Sequence, residues 1–153
     1  MESIMIEVKD VVQAKRFELV DADEKVRVSI GLDENGNATM QFLDQNEKVR
    51  VRVGSEKNGQ SSITLHDSDG EARVVSMVAE NGSSFIFMYD KQGVTRVQVE
   101  TGSADITTLI IGGKNKKPLV KASIDSHDGV YEQGNVSLYD SAGKLLAKTP
   151  QTF

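Results

Sequence analysis

The sequence predicts an all-β fold, a repetitive antiparallel meander of about twelve strands, and three observations carry that expectation. A 23-residue register runs through most of the chain, apolar and polar residues alternate with period two inside each unit, and turn-forming residues recur at fixed offsets. The register is anchored by the pattern apolar-x-apolar-x-Asp at Phe17/Leu19/Asp21, Met40/Phe42/Asp44, Ile63/Leu65/Asp67 and Ile86/Met88/Asp90. A further step of 23 reaches Leu109/Ile111/Gly113, and a step of 27 reaches Val136/Leu138/Asp140, the four extra residues falling between Ser123 and Asn135. Six residues after the anchor stand Arg27, Arg50, Arg73 and Arg96, then Leu119 and Leu146, and seven after it stand Val28, Val51, Val74, Val97, Val120 and Ala147. Asn-Gly pairs follow the first three anchors at Asn35-Gly36, Asn58-Gly59 and Asn81-Gly82.

Residues 1–16 lie outside the register and form an N-terminal cap or arm, either an edge strand through Ile4, Ile6 and Val8 or a short amphipathic helix running on to Val11 and Val12. Residues 17–153 form one β-repeat domain. The first strand of each unit alternates, as in Lys25–Leu32 and Lys48–Val53. Asn-Gly then supplies the positive φ values of a tight hairpin turn. The second strand, as in Thr39–Leu43 or Ser84–Tyr89, ends at the Asp, whose carboxylate bonds forward to the backbone, while Gly70, Gly93 and Gly143 accept the left-handed position. The two prolines, Pro118 and Pro150, stand near segment ends, where they spare the ladder.

A two-strand unit builds either a meander or a β-solenoid. A solenoid would stack Asp21, Asp44, Asp67 and Asp90, and likewise the four arginines, about 4.8 Å apart, and like charges directly opposite are destabilising. In a meander equivalent residues stand about 9.5 Å apart, so the charge pattern favours the meander. Its apolar face, with Val26, Val28, Ile30, Met40, Phe42, Val49, Val51, Val53, Ile63, Leu65, Val74, Met88, Val97 and Val99 as candidates, must be covered. Closure as a barrel, folding into a sandwich, and self-association, including a trimer around a shared core, all satisfy that need. Phe85, Phe87 and Tyr89 fall on the opposite parity and predict a mid-sheet region apolar on both faces.

Composition narrows the chemistry. With 153 residues, no cysteine and a net charge of −5, the chain excludes disulfide scaffolds, Cys-based metal sites and thiol catalysis, and it lacks the basic excess of a nucleic-acid binder. The absence of an apolar run of membrane-spanning length and of a basic, then apolar, leader makes a cytoplasmic location the expectation, with a surface or phage-particle setting as the other.

Ala14–Asp21 followed by Lys25–Val28 resembles the opening of short bacterial β-repeat proteins known as uncharacterised reading frames. Met88–Gly93 and Leu138–Lys144 are similar to the Tyr-Asp-x-x-Gly turns of tyrosine–aspartate repeat proteins. The resemblance implies a structural or surface-recognition role and brings no catalytic residue with it. Four of the six anchors depart from it, having Val20, Leu43, His66 and Gly112 in place of the Tyr.

Few residues point to chemistry. His66 and His127 are the only histidines and lie far apart, so no zinc site is expected. The acidic runs at Asp21, Asp33 and Asp67 follow turn chemistry and do not continue into a calcium-loop pattern. No G-x-S-x-G or phosphate loop is present, and no catalytic residue, metal or other cofactor is assigned. The remaining constellation is the stripe Arg27, Arg50, Arg73 and Arg96, with Arg52 beside it, which would either grip an anionic polymer or pair with neighbouring acids. His127 and Tyr131, in the insertion expected as an irregular loop, complete the candidate binding residues. The expected function is that of a non-enzymatic structural or interaction module that forms a homo-oligomer, with a glycan-binding or anionic-polymer-binding domain as the alternative and neither nucleic acid nor membrane as partner.

Overall fold

The computed structural model describes residues 13–102, 107–113, 117–127 and 131–149. They form twelve strands and no helix: β1 (Arg16–Val20), β2 (Val26–Leu32), β3 (Ala38–Leu43), β4 (Val49–Ser55), β5 (Ser61–His66), β6 (Ala72–Val78), β7 (Ser84–Tyr89), β8 (Thr95–Thr101), β9 (Thr107–Gly112), β10 (Pro118–His127), β11 (Tyr131–Tyr139) and β12 (Leu145–Lys148). Each strand pairs antiparallel with its sequence neighbours, in the order β1 to β12, so the expected meander is the fold. The cap expected over residues 1–16 lies, up to residue 12, outside the described residues, and β1 begins at its boundary.

Among the described residues no strand touches any strand but its ladder neighbours, and β1 does not meet β12. The sheet is therefore a single open layer, closed neither as a barrel nor as a sandwich. Its ladder partners set two rows of side chains on one face. One row runs Leu19, Val28, Phe42, Val51, Leu65, Val74, Met88, Val97, Ile111, Val120, Leu138 and Ala147. The second runs from Phe17 and Ile30 through Ile63 and Ile86 to Val136, with Ser76 its one hydroxylated member. With no second layer, this face stays open: Ile63 is 49% exposed, Leu65 42% and Met88 43%, and no apolar side chain among the described residues is buried. The opposite face is mixed, with Glu18, Gln41, Arg52 and Thr64 along its centre line and Val20, Val26, Leu43 and Val49 toward the Asp turns, and in the middle of the sheet Phe85, Phe87 and Tyr89 line up along β7 with ring centroids 5.6 and 6.2 Å apart. These rings, predicted to be apolar on the second face, are half-buried.

Both ends of the sheet use one turn. At Asp67 the carbonyl accepts the Gly70 N–H (3.1 Å) and the N–H donates to the Glu71 carbonyl (3.0 Å), with Gly70 left-handed at φ +90°. The same four-residue turn, with its fourth residue left-handed, recurs at Glu24, Gly36, Glu47, Gly59, Gly82, Gly93 and Gly143. The Asn-Gly pairs do not form the two-residue turn expected of them, since in each only the Gly has positive φ. The Asn instead bonds forward through its side chain, Asn58 Oδ1 accepting the Gln60 N–H (3.0 Å) and Asn81 Oδ1 the Ser83 N–H (3.1 Å).

The insertion is a strand extension, not the expected irregular loop. β10 and β11 lengthen to ten and nine residues, and His127 becomes the ladder partner of Tyr131. Adding residues in pairs on facing strands preserves the register on both sides, which is why four extra residues are absorbed without disturbing the faces.

The turns supply a clean test of backbone strain. A Cβ at Gly70 would meet nothing within 4 Å, so Gly70→Ala carries only the left-handed penalty and should destabilise by about 1–2 kcal/mol, whereas Glu47→Gly, at φ 58°, should stabilise by about 1 kcal/mol. Urea denaturation of the two variants checks both signs; equal midpoints would contradict the turn assignment.

Candidate functional site

The arginine column owes its place to a bulge. In the hairpin β1–β2, Leu19 pairs with Val28 but Val20 pairs with Val26, leaving Arg27 as the extra residue. The same count leaves Arg50 extra between Val49 and Val51, Arg73 between Ala72 and Val74, and Arg96 between Thr95 and Val97. Leu119 and Leu146 hold the equivalent bulge positions in β9–β10 and β11–β12. A bulge re-aims a side chain and interrupts alternation. It also corrects the assignment of Val26 and Val49, which share the face of their partners Val20 and Leu43 and not that of Val28 and Val51.

The bulge points each arginine at the turn of its own hairpin. Arg27 Nη1 stands 3.3 Å from Asp21 Oδ2, Arg50 Nε 4.0 Å from Asp44 Oδ2, Arg73 Nε 2.5 Å from Asp67 Oδ2 and Arg96 Nε 2.7 Å from Asp90 Oδ2. The other carboxylate oxygen holds the turn: Asp90 Oδ1 accepts the N–H groups of Gln92 and Val94, both at 2.9 Å, and Asp21, Asp44, Asp67 and Asp140 repeat the arrangement. Arg27 also donates to the Leu43 carbonyl (3.1 Å), and Arg73 to the carbonyls of Asp90 and Lys91, so the clasp reaches the next turn along the same sheet end. Lys25 and Lys48 bridge turns likewise, donating to the carbonyls of Gln45 and Ser68, each at 3.1 Å. Arg52 lies outside the bulge column and pairs with Asp33 across the sheet at 3.3 Å.

These contacts set the electrostatics of the turns. Asp21, Asp33, Asp44 and Asp90 are held below the ordinary carboxyl value chiefly by the backbone N–H groups of Lys25, Asn37, Lys48 and Val94, with partial burial opposing. At Asp67 burial is the largest influence and raises the value, but the hydrogen bond from Arg73 with the N–H groups of Glu71 and Asp69 outweighs it, so this carboxyl is also lowered.

The structure thus brings Arg27, Arg50, Arg73 and Arg96 to one face and one half of the strands, three of them hydrogen-bonded to a carboxylate and Arg50 at 4.0 Å from one. It places His127 and Tyr131 together on adjacent strands in a different hairpin, away from that column. His66 Nδ1–H donates to the Gly70 carbonyl (3.0 Å), a turn contact. Among the described residues no cluster of three metal-ligating side chains forms. A hollow of about 480 Å³ beside Arg73, Tyr89 and Gln92 opens on the arginine face. The pairing of each arginine with the Asp six residues before it was missed in the sequence, although a signal existed. With the same turn at both ends, a unit that returns to the same face two strands later must have an even length, and 23 is odd, so each repeat must contain one extra residue. Comparison of the chain with known family descriptions and with curated proteins gives no match.

Removing one clasp should be measurable. Asp90→Ala deletes the acceptor of two backbone N–H groups and an arginine partner and should lower the denaturant midpoint clearly, whereas Asp90→Asn, which keeps an oxygen for the turn, should lower it less. Denaturant midpoints that place the two variants together would show that the ion pair, not the turn, carries the effect.

Acid should act through the same groups. Because the folded carboxyls bind protons less readily than the unfolded chain, their contribution is complete above the unfolded value of about 4 and is lost as pH falls through the lowered folded values. The urea midpoint should therefore hold from about pH 7 to 5 and fall below about pH 4; a midpoint that rises on acidification would contradict this.

Proposed function

We propose that the protein is a non-enzymatic structural or interaction module that works by self-association of its sheet, the cytoplasmic setting being part of the same proposal. The observation that supports this reading is the apolar face, open across all twelve strands in a chain whose strands touch only their neighbours. Water-exposed apolar surface of that extent favours a partner, because monomeric proteins rarely leave contiguous apolar patches beyond a few hundred Å².

The distinctive polar residues support the same reading. The conspicuous arginines and aspartates are used within the turns, where they hold the meander in register, and this argues for a scaffold ahead of a domain that binds glycans or anionic polymers. Anion capture by Arg27, Arg73 or Arg96 would compete with a carboxylate already in place. Light scattering on the purified chain across a wide concentration range tests the proposal: a mass of at least two chains is expected, and a strict monomer at the highest concentration would refute it.

A further inference from the structure

We infer that the apolar face packs directly against the same face of a second copy, related by a two-fold axis, so that two single-layer sheets become one two-layer slab. This rests on the self-association proposed above and names the surface and stoichiometry. Size is the first argument. Twelve strands about 4.8 Å apart and about 20 Å long present a face of about 1,000 Å², above the roughly 800 Å² that each partner contributes to a standard stable interface.

Chemistry is the second argument. The two apolar rows contain no charged side chain from β1 to β12, and the row beyond them mixes hydroxylated residues, Ser55, Ser61, Ser84, Thr101 and Thr107, with the apolar Leu32, Val78 and Ile124. A face that is uncharged and largely apolar across its rows has the composition of an interface core. In β1 to β9 the charged residues outside the arginine bulges, Arg16, Glu18, Arg52 and Glu100, stand on the opposite face, so pairing the two apolar rows buries no ion pair.

Shape is the third. The rows are built of similar mid-sized side chains repeating every second strand, a pattern that a second copy can match under a two-fold rotation, with a shallow hollow of about 570 Å³ beside Ile30, Leu32, Met40 and Val53 left for the facing side chains to fill. Two sheets packed face to face at about 10 Å interdigitate side chains of this size. A lipid surface fits less well, since an acidic chain gains nothing from anionic headgroups.

Two kinds of variant test the inference. Ile63→Glu and Met88→Glu place a carboxylate on the apolar face at side chains that are exposed in the single chain, and Thr64→Glu and Val75→Glu place it on the opposite face of the same strands. Sedimentation equilibrium should show self-association weakened at least about a hundredfold by the first pair and by less than about threefold by the second. Should the first pair unfold, the absence of cysteine offers a milder probe. Ser76→Cys, exposed in the single chain at the centre of the apolar face, should react with a maleimide at least about tenfold more slowly than Thr64→Cys at concentrations where the protein is associated. A strict monomer would defeat the self-association proposal itself. An oligomer indifferent to Ile63→Glu, with Ser76→Cys fully reactive, would overturn the face alone and direct attention to the free edges of β1 and β12. A trimer with a protected face, or binding of uncharged vesicles by a monomer through this face, would overturn the two-copy closure.

Discussion

Everything in this structure depends on the carboxylate at the turn. A layered domain can let its core select the register, because a slip of one residue carries apolar side chains into water. A single layer with no buried apolar side chain among its described residues lacks that selection, and its register must come from local chemistry. The anchor Asp supplies it: one oxygen closes the turn through two N–H groups, and the other accepts from the bulge arginine in three units and faces Arg50 at 4.0 Å in a fourth. Because arginines and lysines reach the neighbouring turn as well, consecutive hairpins are tied at one end of the sheet. Distributed hydrogen bonds and ion pairs therefore do locally what a core does globally elsewhere.

That arrangement separates the two faces by role. The bulge gathers charge onto one face and one end, where it is spent on turns. The other face carries two continuous apolar rows, while Val20, Val26, Leu43, Val49 and Val75 fall on the arginine face. Stability gained from cross-strand pairs accrues within one layer, about 0.2–1 kcal/mol per pair. The larger hydrophobic contribution waits for a second layer. The proposed second copy would couple folding of the chain to covering of the face, and apparent stability would then depend on protein concentration.

Much of this was legible in the sequence. Gly36, Gly59, Gly70, Gly82, Gly93 and Gly143 were readable as turn residues, and all six adopt positive φ. The strand count, antiparallel order and apolar face followed from the alternation and from the repulsion a solenoid would force on stacked Asp and Arg. The column of Arg27, Arg50, Arg73 and Arg96 was visible, but its meaning was not, because a bulge is a property of two strands counted against each other. Glu24 and Glu47 in the left-handed position were equally hidden, since nothing in a glutamate announces positive φ and only their alignment with Gly70 and Gly93 does so. The insertion was misread as a loop for a related reason: whether added residues pair depends on the facing strand, and His127 finds Tyr131 there.

Small-angle X-ray scattering of the associated protein is the most direct measurement of the central claim, that a sheet without a core of its own is completed by an identical sheet. The account predicts a slab of two layers about 10 Å apart, with the lateral dimensions of one twelve-stranded sheet and twice the chain mass. A particle one sheet thick, whether of single-chain mass or lengthened along the strand-to-strand direction, would contradict it.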